Sequence, residues 1–214
     1  MSDKNKKLKK NLIIALIAVV SVILILGLLV SAIPKIYEFF LPEETEYVAN
    51  FNFYEADYNE NIYDDEEYLS LIKNGVIEYD NSAGMIVTIL PEESAQYGAS
   101  VKLMVDMVYS IINGNNEEYN TYFSERYFDS HEKKEDFTMQ KVYNCRITLF
   151  SIETIEENDT DYKKYIYKVR YCIYENNGTF RKDIGEGYRT QYIVVTDREG
   201  TFLVDSIMYS QTKK

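Results

Sequence analysis

The sequence predicts an α+β protein with one N-terminal transmembrane helix and an extracytoplasmic domain in which two or three helices pack on a curved four-stranded antiparallel sheet. Three observations lead to this prediction. Residues 12–33 contain no charged side chain. Apolar residues then recur at helical spacing between residues 101 and 112. From about residue 137 they recur at every second position, which is typical of strands.

The apolar segment is long enough to cross a bilayer. At about 1.5 Å per residue, a helix over residues 12–34 spans roughly 30 Å, so Leu12 to Ile33 are expected to contact lipid. Five lysines precede the segment and only Lys35 follows it closely. This bias predicts a cytoplasmic tail over residues 1–11 and an extracytoplasmic location for residues 35–214. A cleaved signal peptide is the alternative, but its apolar core is usually only about 7–15 residues long.

The charge of the chain disfavours one class of partner. The net charge is -12, and the first ten residues carry five Lys and one Asp, which leaves about -16 on the remainder. Such an acidic exterior repels phosphate backbones, so no direct nucleic-acid binding is expected. Solubility is the simpler interpretation of the same charge.

Residues 35–90 are predicted to form an acidic juxtamembrane segment that ends in a small helix and a hairpin. Residues 43–67 contain no basic residue, as expected of a linker or a poorly ordered arm. Asp64 and Glu67 resemble a capping box for a helix over about 65–73, which Asn74-Gly75 would end. The stretch "VIEYDNSAGMIVTIL" then predicts two strands around a turn at residues 80–84.

The main domain is predicted to cover residues 91–214. Its long helix ends at Gly114, with Lys102, Asp106, Ser110 and Asn113 on the polar side. The apolar stripe of this helix consists of Val101, Met104, Val105, Val108 and Ile112. A second, short helix is predicted over "NEEYNTYFS".

The last part of this domain is predicted to be the sheet. The four predicted strands lie near residues 137–155, 163–175, 184–197 and 201–210. Asn177-Gly178 predicts a tight hairpin turn, and residues 197–200 predict another.

The two cysteines fall on predicted strands. Cys145 has the parity of Ile147 and Leu149, whereas Cys172 is out of phase with the apolar Ile173 beside it. If both apolar sets face the core, the two sulfur atoms lie on opposite faces of the sheet. The sequence therefore predicts free thiols, although a bulge would break this inference.

The order of elements resembles a known family. A long helix is followed by "INGNNEEYNTYFSERYFDS", and the chain ends on the strand pair "YRTQYIVVTDREGTFLVDSIMY". Together they resemble the nuclear transport factor 2-like superfamily, the cystatin-like cone fold, over residues 91–211. With one anchor added, the layout is similar to the bitopic scaffold component of type IV secretion and conjugation systems. The resemblance implies a non-catalytic scaffold of a bacterial cell-envelope complex, with other envelope proteins or a second copy as partners.

Catalytic residues are not predicted. Enzymes that share the cone fold place Asp, His or Tyr inside the cone. Here His131, the only histidine, lies in the charged stretch "FDSHEKKED", and Asp106 is on the polar side of its helix. Because neither has an evident partner, both are expected to be solvated surface residues.

No metal or cofactor site is predicted either. Asp57, Asn59 and Asn61 have the first three ligand spacings of an EF-hand loop, but Ile62 replaces its glycine and Tyr68 its last glutamate. One histidine and two separated cysteines do not supply a typical zinc ligand set.

Five tyrosines on the predicted strands are candidates for a ligand cage or an interface, although packing is the simpler interpretation. They are Tyr165, Tyr167, Tyr171, Tyr188 and Tyr192.

Three functions can be compared by what each predicts. A scaffold predicts a filled cone with an exposed apolar patch. A membrane-tethered ligand-binding module predicts a sizeable cavity with convergent polar groups. An enzyme would need two titratable groups that meet inside the cone.

Overall fold

The computed structural model describes residues 52–157 and 160–209. The predicted tail and transmembrane segment lie outside these residues, so the anchor and its orientation stay predictions. Among the residues that are described, no helix is both long enough and apolar enough to cross a membrane.

The described chain has the predicted α+β architecture, with helices on a single sheet. Its α-helices are α1 (Glu66–Ile72), α2 (Ala99–Ile112), α3 (Asn116–Thr121) and α4 (Glu125–Phe128). Its strands are β1 (Ile77–Asp80), β2 (Ile86–Ile89), β3 (Lys141–Glu157), β4 (Thr160–Tyr174), β5 (Arg189–Arg198) and β6 (Thr201–Tyr209). Two 3-10 helices cover Ile62–Asp64 and Pro91–Tyr97.

The sheet has six strands, so the predicted number of four is wrong. Its order is β2-β1-β3-β4-β5-β6, and β1 runs parallel to β3 whereas the other neighbours are antiparallel. The hairpin of β1 and β2 was expected to precede the main domain, but it pairs with the edge of β3. Ile77 and Tyr79 of β1 are buried, with Cys145 and Ile147 as their partners in register. A two-stranded hairpin is marginally stable alone, and the longer sheet stabilises it.

The described part of the acidic segment packs on the sheet. Ile62 and Tyr68 are fully buried, and the Tyr68 hydroxyl donates a hydrogen bond to the Val142 carbonyl at 2.9 Å. Helix α1 begins one residue later than predicted. The N-cap is Asp65, whose Oδ1 accepts hydrogen bonds from the backbone amides of Glu67 and Tyr68 at 2.9 and 3.0 Å.

Helix α2 crosses the middle of the domain. The predicted apolar stripe is buried, but so is Ser110, which was predicted on the polar side. The Ser110 hydroxyl donates to the Met107 carbonyl at 2.7 Å, which satisfies the buried oxygen within the helix. Burial extends around α2 because the Pro91–Tyr97 segment, α3, β3 and β6 all contact it.

Of the two hairpin turns predicted within residues 91–214, one is wrong. The β5–β6 turn at residues 197–200 is confirmed, with Gly200 at φ 82°. Asn177-Gly178, by contrast, lies in a long loop, since β4 ends at Tyr174 and β5 begins at Arg189. The Asn176 side-chain amide donates to the carbonyls of Arg181 and Ile184 and holds this loop together. Phe180 and Ile184 are buried, so the loop has apolar anchors of its own.

Both cysteines are free thiols, as predicted. The register of β3 shifts between Tyr143 and Arg146, but Cys145 still belongs to the buried core. Cys172 is opposite Tyr143 in the ladder and next to the core residue Ile173 in the chain, so alternation places it on the other face of the sheet.

Candidate functional site

A cavity of about 230 Å³ lies between α2 and the last three strands. Alternate residues of β4, β5 and β6 form its floor, because side chains that are two positions apart on a strand share a face. In the ladder Val169 is opposite Gln191, and Gln191 is opposite Tyr209. The floor residues are Val169, Tyr171, Gln191, Ile193, Ile207 and Tyr209.

Helix α2 supplies the opposite wall. Met107, Val108 and Ile111 are at helical spacing and line the cavity. The volume equals that of roughly eight waters in the liquid and is below the roughly 300 Å³ of the smallest drug-sized pockets. A molecule of metabolite size therefore fits the cavity.

Gln191 brings a side-chain amide to the floor. Its side chain is almost fully buried, at 2% exposure, and no described residue forms a hydrogen bond with its Nε2 atom. Burial raises the pKa of the nearby Tyr171 hydroxyl, and the charge of Arg181 and then Gln191 lower it. No group of the described residues, however, lies within hydrogen-bond geometry of Gln191 Nε2. An unsatisfied buried donor costs roughly 1–3 kcal/mol. A ligand with an acceptor atom would remove this cost.

A pair of arginines lies at one end of the cavity. Arg181 lines it and donates to both oxygens of Asp183, from Nε at 2.7 Å and from Nη2 at 2.6 Å. Arg189 pairs with the same carboxylate. Both guanidinium groups also lie over the ring of Tyr209, at 4.8 and 4.5 Å from its centroid. Two arginines therefore share one carboxylate at the cavity wall.

Lys134 brings a third cation to this end. The residue as a whole is exposed, but its ammonium group reaches inward and donates to the Phe180 carbonyl at 3.0 Å. Burial of this group, and then the charge of Arg181, lower the pKa of Lys134. Within residues 52–157 and 160–209 no carboxylate forms a salt bridge with it, as the bonded acceptor is a neutral carbonyl.

The two residues that the sequence analysis assigned to the solvated surface are in different places. His131 is exposed but lines the mouth of the cavity, where its ring stacks on Tyr127 with a centroid separation of 4.3 Å. Asp106 is half-buried, forms an ion pair with Lys102, and does not line the cavity.

The five candidate tyrosines do not form one cage. Tyr171 lines the cavity, and Tyr167 is buried in the core. Tyr165 is half-buried against Phe202. The other two are on the outside of the domain. Tyr192 points to the opposite face of the sheet and packs on Phe150, and exposed Tyr188 lies beneath the Arg170 guanidinium.

The EF-hand-like residues have local roles. Asp57 Oδ1 accepts a hydrogen bond from the Asn59 amide at 2.8 Å, and Asn61 Oδ1 accepts one from the Tyr63 amide at 3.3 Å. Among the described residues, no group of three or more His, Cys, Asp or Glu side chains is arranged to hold a metal ion.

Sequence reasoning missed three polar residues that line the cavity, Lys134, Arg181 and Gln191. One of them had a signal, because Gln191 is in phase with the apolar Ile193 and Val195. Lys134 and Arg181 lie outside regular elements, and their spacing carries no such signal.

In sequence comparisons, no protein-family model matches the chain and no curated protein matches it. The function of the protein is therefore inferred from the cavity itself.

Proposed function

We propose that the protein is a membrane-anchored binding module whose extracytoplasmic domain is a cone fold of the nuclear transport factor 2-like kind. In this proposal the cavity between α2 and the sheet holds a small molecule. The supporting observation is the buried Nε2 atom of Gln191 in the cavity floor, which has no hydrogen-bond partner among the described residues. Buried polar groups are almost always paired. A donor without a partner beside an open volume is therefore typical of a site whose ligand accepts a hydrogen bond from it.

The proposed module binds its ligand without a reaction. Among the titratable groups inside the cavity, Tyr119 and Tyr171 are the most deeply buried tyrosines. Burial raises the pKa of both hydroxyls, so they remain protonated near neutral pH. A protonated phenol of high pKa is a hydrogen-bond donor rather than a general base.

A scaffold in a cell-envelope or conjugation complex is the second candidate. Phe150 is 61% exposed at the register shift between Leu149 and Ser151, and its ring packs edge-on against Tyr192 on the outer face of the sheet. Exposed aromatic residues of this kind favour a protein contact. The ligand-binding function is placed first because the cavity beside α2 is not filled by side chains.

Fluorine NMR on the full-length protein in detergent tests the binding function. The probes are para-fluorobenzoate, para-fluorobenzamide and para-fluoroaniline. We expect at least one signal to broaden with the wild-type protein. Val108→Phe, which fills the cavity from α2, should abolish the broadening. The matched control Val87→Phe, at a half-buried position outside the cavity, should preserve it.

If none of the three probes binds the wild-type protein, or if Val108→Phe binds equally well with unchanged circular dichroism, the proposed binding function is wrong. The scaffold would then become the leading candidate. Its own test is genetic, since deletion of the gene should abolish conjugative DNA transfer and Phe150→Ser should impair it.

A further inference from the structure

Positive charge collects at one end of the cavity although the domain is strongly acidic. Arg181 and Arg189 share the single carboxylate of Asp183, so this group of three carries a net charge of about one positive unit. Lys134 adds a second unit beside it, and Glu132 at the exposed rim subtracts one. The local excess therefore opposes the net charge of -12 of the whole chain.

Of the two cations that line the cavity, Lys134 has no carboxylate partner among the described residues. Arg181 uses Nε and Nη2 on Asp183, which leaves Nη1 outside that ion pair. Lys134 donates to the neutral Phe180 carbonyl. Burial and then the charge of Arg181 lower the pKa of Lys134, so the two cations repel each other at this end of the cavity. An anion between them would reduce this repulsion.

The floor of the cavity also has hydrogen-bond donors that face the open volume. Gln191 Nε2 has no partner among the described residues, and the Tyr171 hydroxyl keeps its proton because burial raises its pKa. A carboxylate accepts at both oxygens and suits such a set of donors. The other side of the cavity is apolar, where Met107 and Val108 of α2 are opposite Ile193 of the sheet.

We infer that the ligand is a small organic carboxylate, whose charged group lies between Arg181, Lys134 and Gln191 and whose apolar body packs against α2. This inference rests on the proposed binding function and adds the chemical class of the ligand. An inorganic anion would satisfy the donors but leave the apolar half of the cavity empty.

The test compares two probes of the same shape with the full-length protein in detergent. Para-fluorobenzoate and para-fluorobenzamide differ in charge at one group only. We expect benzoate to bind at least roughly tenfold more tightly, because its hydrogen bonds to the two cations are charge-assisted. Lys134→Met keeps the apolar stem and should weaken benzoate binding about fivefold or more, with benzamide binding unchanged. Lys133→Met is the control, since Lys133 lies over Phe128 and does not line the cavity.

Each other result has a defined meaning. Equal affinity for the two probes would overturn the carboxylate inference and leave the binding function intact. Inorganic phosphate that displaces benzoate at an equal concentration would also overturn it, since the site would then select charge alone. Failure of every probe to bind would overturn the binding function itself, which distinguishes the two failures.

Discussion

The hydroxyl oxygens of Ser100 and Tyr167 lie 2.8 Å apart, buried in the contact between the first turn of α2 and the middle of β4. Tyr167 was a candidate ligand residue in the sequence, but its ring is 1% exposed and its hydroxyl is bonded to the helix. The pair therefore holds α2, the apolar wall of the cavity, against the sheet.

Tyr167→Phe should lower the free energy of unfolding by about 1 kcal/mol, because the ring still packs but the Ser100 hydroxyl loses its buried partner. The affinity for the fluorinated probes should not change. Chemical denaturation followed by circular dichroism measures the first quantity, and fluorine NMR the second. In the double variant with Ser100→Ala, the loss should be smaller than the sum of the two single losses. Additive losses would contradict the coupling.

Lys141 is expected to be the most sensitive ionic residue on the surface of the sheet. Its ammonium group is 2.9 Å from Glu60, 2.7 Å from Asp65 and 2.7 Å from Glu175, and its side chain is 8% exposed. Lys141→Met leaves three carboxylates that repel one another. We expect a loss of roughly 2–3 kcal/mol, less than the 3–5 kcal/mol of a fully buried pair because the carboxylates are partly solvated. Lys102→Met, in an exposed pair on α2, should cost no more than about 0.5 kcal/mol.

The same cluster predicts a pH dependence. The hydrogen bond from Lys141, and then the backbone amide of Tyr68, lower the pKa of Asp65. Because the folded pKa is below the unfolded value of about 3.9, this stabilisation is present above pH 4 and is lost as the pH falls further. Lys141→Met should show the opposite trend, with stability that rises on mild acidification as the repelling carboxylates take up protons. Parallel pH profiles of the two proteins would contradict the cluster's role.

The sequence predicted the parts of the fold that depend on local periodicity. The apolar stripe of α2 follows from the spacing of its apolar residues. The hairpin at Gly84 and the turn at Gly200 follow from a positive backbone angle that glycine adopts easily. The pairing of β1 with β3 could not be predicted from such a pattern, because it joins residues far apart in the chain and depends on which sheet edge is free. The segment after β4 was predicted as a tight turn because of Asn177-Gly178. The burial of Phe180 and Ile184 stabilises a longer loop instead.

The candidate site was harder to predict for the same reason. Gln191 shares the parity of its apolar neighbours, which marks a buried polar residue but not the cavity beside it. Lys134 comes close to Arg181 because its ammonium group donates to the carbonyl of Phe180, which lies 46 residues further along the chain. Such long-range contacts between segments outside the regular elements have no periodic signal.

The cysteines should be slow to react in the folded protein. Burial raises the pKa of both the Cys145 and the Cys172 thiol, so little thiolate is present at neutral pH. We expect maleimide to modify neither residue within the time that it takes to modify a small-molecule thiol completely. After denaturation without a reductant, both should react. A stoichiometric bond between the two would contradict their location on opposite faces of the sheet.

The membrane prediction can be tested independently of the cavity. Protease added to intact cells that lack their wall should digest the chain beyond about residue 40 and spare the lysine-rich tail, if Leu12 to Ile33 cross the bilayer with the N-terminus inside. A tag at each end, detected by blotting, reports which fragment survives. Protection of the whole chain, or a mature N-terminus at Ile33, would contradict the uncleaved anchor.

Gln191→Leu should separate stability from binding. Leucine has a similar size and no donor, so it removes an unsatisfied buried group and should raise the free energy of unfolding by about 1 kcal/mol. The same change should weaken para-fluorobenzoate binding about fivefold or more, since one hydrogen bond to the ligand is lost. Gln140 is the matched control, as another buried glutamine. Its Oε1 has no partner among the described residues, but its Nε2 donates to the Thr138 carbonyl at 2.9 Å. Gln140→Leu should therefore lower stability and leave probe affinity unchanged. If both glutamine variants lose stability equally and both retain probe binding, the unpaired amide of Gln191 has no role in recognition.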